Sequence, residues 1–580
     1  MGLPSPIFYA AKRHLHGSLV IQVLSLTSKR GNYWTLQAFV REGQPSRRHY
    51  TLSTSHNCSF LSSINPFFSE LVLKMSALPP SETPSDAPAS WSNLPRKGQL
   101  FVLAFCRVFD FMQVASFQTI CYYQLKSFAS DLPEQQLSWQ SGIASGSFSA
   151  AQIFTAIVWG RIADAAWGGR KRVLLLGLWG TGIACVGLAF SRSFVAVVMF
   201  RLLAGASNGT PDNDIREYQR QKSRAFLLLP ASFMVASVTG PVIGSWLAEP
   251  VKTFPGLFDS NSWLASFPYA LPALFSAASM IFIGAIVFLH IEETHAGCKN
   301  EFDIGIYCSS IIKRALGRSS AHSYHGYSAV GDLDEESDDD EVELPEMKAP
   351  KLLPLPSSKP SPSFRTIWTF NVITTLFAQA IFDFHMGAFG NLLPLFLSSP
   401  RKTIARYLPF IFNGGLGMAP RAVGLALAIL GTIGILLQFL IYPRINTRLG
   451  NVQCFRIFCM LFPVAYATAP FLAVIPTDST SLTWICITLV VAIHTTGRIF
   501  VLPATIVLLN NCAPDPSVLG MIHGVGQTTS ALFRTLGPVA AGWMFGKSFE
   551  SGVIGAVWWG VAVVAVVGCV ASLFVWERPA

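Results

Sequence analysis

Residues 135–160 and 173–191 contain no aspartate, glutamate, lysine or arginine. At about 1.5 Å per helical residue, each stretch is close to or above the length that crosses a hydrocarbon layer of roughly 30 Å. Between them the segment "WGRIADAAWGGRKR", Trp159 to Arg172, crowds one acid and four basic residues into a short hinge. Within lipid every backbone N–H and C=O must be paired inside the chain, so apolar runs of this length can cross only as helices. The feature that constrains the fold is therefore a pair of crossings joined by a charged turn.

The pattern recurs along the chain. The sequence is 51% hydrophobic and 13% charged, against about 25% charged in soluble domains, which makes it an all-α integral membrane protein. Its net charge of +10 is spread through short loops between apolar runs. It forms no basic face, and this argues against nucleic acid as a partner. The 11 cysteines are scattered without a CxxC pair and read as small apolar fillers.

Apolar runs of helical length lie at about 99–124, 138–162, 173–191, 194–209, 225–248, 266–290, 367–397, 421–443, 455–476, 482–509, 517–546 and 552–576. The expected architecture is twelve transmembrane helices in two six-helix halves, 98–294 and 366–580. Residues 1–97 show no sustained apolar run and are expected to be a disordered cytoplasmic region, with Met75 a candidate natural start. Asn57-Cys58-Ser59 is a glycosylation sequon that this topology would leave in the cytosol. The stretch 295–365 holds "GDLDEESDDDEVELPE" and "KAPKLLPLPSSKPSPS", a composition expected to form a flexible cytoplasmic linker.

Charge sets the expected orientation, with both termini in the cytosol. The cytoplasmic loops would hold Arg161, Arg170, Lys171 and Arg172, then Arg216, Arg220, Lys222 and Arg224, then Arg444 and Arg448. The outer loops are poorer: Lys126, Arg192, Lys252 and Lys547. One outer loop departs from the rule, with Arg401, Lys402, Arg406 and Arg421.

The hinge carries a resemblance. Gly160-Arg161-Ile162-Ala163-Asp164 followed by Gly169-Arg170-Lys171 resembles the loop between spans two and three of the major facilitator superfamily, with two extra residues between Asp164 and Gly169. Arg201-Leu-Leu-Ala-Gly205-Ala-Ser-Asn-Gly209 is similar to the fourth-span motif of that family. Gly240-Pro241-Val-Ile-Gly244 is similar to its fifth-span antiporter motif. "SRAFLLLP", "FPYALP", "IEET", "YPRINTRLG", "NNCAPDPSVLGMIHGVGQ" and "ALFRTLGPVAAG" resemble the fungal and plant zinc-induced-facilitator-like branch. The resemblance covers about residues 95–576. It implies the major facilitator fold, alternating access around a central cavity, and a conformational latch at Gly160, Asp164, Gly169, Arg170 and Lys171. In such a latch the acid would face a helix N-terminus and a neighbouring arginine, although the loop could also be only topogenic.

Ionisable residues within membrane spans are rare and usually functional. Asp110 follows Arg107 by three residues, where the family usually has Glu-Pro; it is either a proton site or half of a structural pair. Arg201 could tune a carboxylate or anchor backbone carbonyls. Asp383 and His385 lie mid-span in "FDFHMGAFGNLLP", with Gly390 where the family leads us to expect Asp and Asn391 where Gln is expected. His494 and Arg498, four apart on one face, and Arg534 complete the candidate pathway. No His, Cys or carboxylate group has metal-ligand spacing, so neither metal nor cofactor is expected.

These features point to a secondary active transporter, a proton-coupled exporter of a drug, secondary metabolite or organic anion. It is expected to act as a monomer in the plasma or vacuolar membrane. The rival is a transport-dead sensor or vestigial transporter, because the fourth run stops after 16 residues and is expected to be truncated by a lost piece. No Walker loop, nucleophile elbow or zinc-hydrolase motif points to an enzyme. Deleting about residues 325–360 should leave surface expression and transport nearly intact, since that composition offers no apolar face; loss of both on a surface-labelling and transport assay would refute the two-half architecture.

Overall fold

A computed structural model of the chain describes residues 20–29, 33–41, 97–129, 131–165, 167–208, 228–259, 262–294, 297–298, 302–315, 367–402, 409–515 and 518–577. They fall into two units, one within residues 1–88 and one within 89–580. In the first, β1 (Val20–Lys29) and β2 (Tyr33–Arg41) pair antiparallel, Val20 opposite Arg41 and Lys29 opposite Tyr33. These two strands lie within residues 1–97, where disorder was expected, and are rich in Val, Thr and aromatic residues, which favour extended backbone. Met75 and the Asn57 sequon lie outside the described residues.

The second unit is helical. Its amino-terminal half comprises α1 (Lys97–Phe128), α2 (Glu134–Ala163), α3 (Arg170–Ala189), α4 (Phe194–Ser207), α5 (Leu228–Trp246) and α6 (Ala270–His290). A shorter helix, α7 (Ile304–Ala315), follows. The carboxy-terminal half comprises α8 (Phe370–Ser398), α9 (Pro420–Leu436), α10 (Tyr442–Cys459), α11 (Leu461–Thr468), α12 (Thr480–Asn511), α13 (Leu519–Ser551) and α14 (Gly555–Leu573). Eight described stretches are long and apolar enough to cross a membrane. One of them, Pro420–Val474, runs through a π-turn at Leu437–Ile441 and a break at Gly450, whose φ of 74° suits glycine. The chain is a multi-pass membrane protein.

Two expectations change here. Residues 304–315, placed in a structureless linker, form α7, because Ile304, Tyr307, Cys308 and Ile311 recur at helical spacing. The fourth apolar run, expected over 194–209, ends as a helix at Ser207; its 14 residues span about 21 Å. The basic loop with Arg216, Arg220, Lys222 and Arg224, the remaining linker from 316 to 366, and Arg406 lie outside the described residues.

The halves meet along seams of small residues. A Cβ on Gly142 of α2 would lie 2.5 Å from the Pro538 carbonyl oxygen of α13, and one on Gly542 would lie 2.5 Å from the Ser138 carbonyl oxygen. Gly146 faces the Thr535 carbonyl and Gly546 the Gln135 carbonyl in the same way. Gly142 meets Gly542, and the two small-xxx-small pairs, Gly142/Gly146 and Gly542/Gly546, put α2 and α13 in backbone contact. A second seam joins α5 to α9, with Gly424 against the Pro241 carbonyl and Gly431 against Ser237 and Val238.

Cross-half hydrogen bonds among the described residues gather at the end remote from the latch. Tyr123 Oη donates to the Met418 carbonyl at 2.5 Å. Ser141 and Ser145 of α2 both donate to Asn391 Oδ1 of α8, at 3.2 and 3.0 Å. The exceptional basic loop is explained at this end as well: Arg401 donates to the Leu416 and Ile475 carbonyls, Lys402 to the Phe549 carbonyl, and Arg421 to the Thr253 carbonyl. These cations satisfy carbonyls in loops and at helix ends, a use separate from topology.

Replacing Gly142 by Val should cost about 1–3 kcal/mol by overpacking the α2–α13 seam, read as a lower melting temperature of the purified protein. Gly524→Ala, where nothing lies within 4 Å of the added carbon, should leave it unchanged.

Candidate functional site

In the amino-terminal half the candidate charges line up along α1 and α4, which run antiparallel. Arg107 Nη1 lies 3.1 Å from Asp110 Oδ2, one turn away on α1. Asn208, immediately after α4, donates through Nδ2 to Asp110 Oδ1. One turn along α1, Gln113 accepts from Arg201 at 3.5 Å. Arg201 is 1% exposed and also donates to the Ala144 carbonyl of α2 at 3.4 Å. Its guanidinium sits between the Phe117 and Phe148 rings, 4.4 and 4.7 Å from their centres. Among the described residues no carboxylate reaches Arg201 at ion-pair distance, so stacking and carbonyls hold this cation. The carbonyl anchor expected as one of its roles is present.

The end of α4 is closed by side chains of α2. Trp159 Nε1 donates to the Ala206 carbonyl at 2.7 Å, and Gln152 Nε2 to the Asn208 carbonyl at 3.3 Å. These are carbonyls that a longer helix would satisfy itself.

The carboxy-terminal half brings His385 and His494 to one aromatic cluster. His385 Nδ1 lies 2.9 Å from Tyr466 Oη, and its ring contacts Phe462 at 4.8 Å between centres. His494 stacks on Phe389 at 3.6 Å and 18° and also faces Phe462 and Tyr466. Among the described residues, neither ring nitrogen of His494, nor Nε2 of His385, has a hydrogen-bond partner. One turn beyond His494, Arg498 crosses to the other half and lies 4.0 Å over the Phe233 ring of α5. Asp383 is buried on α8 with Ser530 and Arg534 of α13 beside it, and its Oδ2 has no hydrogen-bond partner among the described residues. Thus Asp383 and Arg534 are brought together, as are the two histidines. Asn391, noted in the sequence only as a departure from the family, proves to be the cross-half acceptor. Tyr466 and the Gly142–Gly146 line were missed, although the glycine spacing was a readable signal.

At the latch, Gly169 adopts φ 80° and opens α3. The carboxylate at the start of α3 belongs to Glu293. Its Oε1 accepts from Arg170 N and its Oε2 from Lys171 N, both at 3.0 Å. The expectation that Asp164 faces this helix N-terminus is therefore corrected. Asp164 is the C-cap of α2, its side chain is 62% exposed, and it stands 3.9 Å from Arg170 Nη2. Asp164 stays at the edge of the loop, while the chain leaving α6 delivers Glu293 to the exposed N–H groups. Lys171 pairs with Asp303 at 2.6 Å. Gly160 has open space around it, and the Gly168 backbone abuts the Ile162 carbonyl. In the antiporter-type motif, Gly240 and Gly244 let α5 approach the Met112 and Ser116 backbone of α1, while the Pro241 carbonyl faces Gly424 of α9. The motif sits where two helix contacts meet.

The profile of the Major Facilitator Superfamily matches residues 100–538. The chain belongs to this family. It is 29% identical over 515 residues to the Major facilitator superfamily multidrug transporter mfsB of Aspergillus fumigatus, covering 84% of each chain. It is 25% identical to Protein ZINC INDUCED FACILITATOR 1 of Arabidopsis thaliana, covering 75% of this chain and 82% of that one. Its fold matches the xylose transporter XylE from E. coli in an inward-open conformation, with a TM-score of 0.53, 13% identity and coverage of 83% and 97%. The resemblance to the zinc-induced-facilitator-like branch is confirmed, and the relatives are transporters rather than enzymes. Among the described residues no three His, Cys, Asp or Glu side chains are grouped to hold a metal.

Glu293→Gln should destabilise this end of the bundle by about 1 kcal/mol, since it removes the charge facing two N–H groups, and should impair transport more than Asp164→Asn. Equal effects of the two variants on melting and transport would return the capping role to Asp164.

Proposed function

We propose that the chain is a proton-coupled exporter of small molecules, working by alternating access across twelve transmembrane helices with both termini cytoplasmic. The membership of a transporter family and the likeness to a named multidrug transporter support export. The observation that carries the coupling is a pair of buried carboxylates, Asp110 and Asp383, each beside an arginine and one in each half. A proton and a cationic substrate group compete for such a carboxylate, and competition for one site is what exchange requires. Arg201 and Arg498, held largely by aromatic rings, suit the anionic end of the same ligand. An anionic or zwitterionic drug, secondary metabolite or organic anion is the substrate class.

The cross-half bonds remote from the latch correspond to a form open to the cytosol. Exchange to the outward form would part Asn391 from Ser141 and Ser145 while the latch around Glu293 and Asp164 closes. We place the protein in the plasma or vacuolar membrane, as a monomer. A second reading, a transport-dead sensor or vestigial transporter, rests on the 14-residue α4, which we read as truncated.

A substrate drawn from an export screen, loaded into proteoliposomes under an imposed pH gradient, tests the proposal. Gradient-driven movement is expected; its absence, with rescue by about ten helical residues inserted after Gly209, would favour the second reading. In Asp110→Asn the pH drive should vanish while ligand binding survives. Unchanged pH dependence would leave Asp110 as the structural partner of Arg107.

A further inference from the structure

Helix α7 is turned the opposite way from an amphipathic helix packed on a soluble core. Its small residues face inward: Gly305 and Ser309 are buried, and the Gly305 backbone abuts the Phe288 carbonyl in the last turn of α6. Its large apolar residues face outward, with Phe302 62%, Ile304 61% and Tyr307 48% exposed, and Ile311 and Ile312 each 46% exposed. Twelve residues span only about 18 Å, too short to cross a bilayer. The helix packs against the end of the membrane span α6 and is joined to the latch through Lys171, with its own Arg314 exposed.

We propose that the outward face of α7 lies in the interfacial layer of the bilayer that holds the protein, as a membrane-surface anchor for the latch. Lipid fits this face in position and chemistry. A helix with one apolar face and cations at its border settles between headgroups and acyl chains, and α7 stands at the depth where α6 leaves the hydrocarbon. Asp303 carries the connection to the latch. Its Oδ1 accepts from Gly305 N at 2.9 Å and Ile306 N at 3.2 Å, capping α7. Its Oδ2 accepts from Lys171 Nζ at 2.6 Å. One carboxylate therefore ties the start of α7 to the start of α3, so a helix held in the interface holds the latch beside it.

An environment-sensitive fluorescent amino acid placed at Tyr307 by codon suppression tests the anchor in the full-length protein. The protein is reconstituted into phosphatidylcholine vesicles with and without bromine on the acyl chains. The expected result is blue-shifted emission, quenched by brominated lipid and insensitive to aqueous iodide. Adding Ile304→Ser and Ile311→Ser should reduce lipid quenching at least about twofold, with unchanged melting of the protein in detergent. Quenching by iodide in place of brominated lipid would show a face in water and overturn the proposal. Protection from both quenchers would show the face covered by protein, either the linker or a second copy, and would overturn it equally.

Discussion

Helices in hydrocarbon gain little from leaving lipid for one another, so their association depends on how closely their backbones can approach. In this protein that constraint is met by glycine. Gly142 and Gly146 of α2 lie against the α13 backbone, Gly542 and Gly546 of α13 against the α2 backbone, and Gly424 and Gly431 of α9 against α5. Along these lines a side chain as small as a methyl group would enter a neighbouring carbonyl oxygen. Everything else that joins the halves depends on this spacing. Asn391 can accept from Ser141 and Ser145 only because α2 and α13 are in backbone contact beside it.

Within the frame, each buried charge is neutralised in a different way. Asp110 shares an arginine and an amide; Arg201 lies between two phenyl rings and a carbonyl; Asp383 is set beside an arginine and a serine. A buried ion without a partner costs several kcal/mol, so the arrangement of partners determines what each group is free to do. Groups that keep an unpartnered polar atom, such as His494 and Asp383 Oδ2, retain capacity to bind.

The short α4 follows the same physics. A helix that ends inside a membrane bundle leaves carbonyls unpaired, and Trp159 and Gln152 supply the missing donors. Asn208 then turns its amide to Asp110. The Ala206 and Asn208 carbonyls at the end of α4 are therefore satisfied by α2.

Much of this was legible in the residues because the bilayer enforces it locally. Runs such as 173–191 must be helices, and the Arg107–Asp110 spacing puts both on one helix face. The ordered motifs from Gly160 to Gly244 sufficed to name the family, and His494 and Arg498 could be placed on one face by counting. What counting could not reach were relations between segments distant in sequence. That Glu293, rather than Asp164, meets the N-terminus of α3 depends on where α6 delivers the chain. That Asn391 serves the other half, and that α7 turns its apolar side outward, depend on which helices become neighbours. Periodicity fixes the face of a helix relative to itself; only packing decides what that face meets.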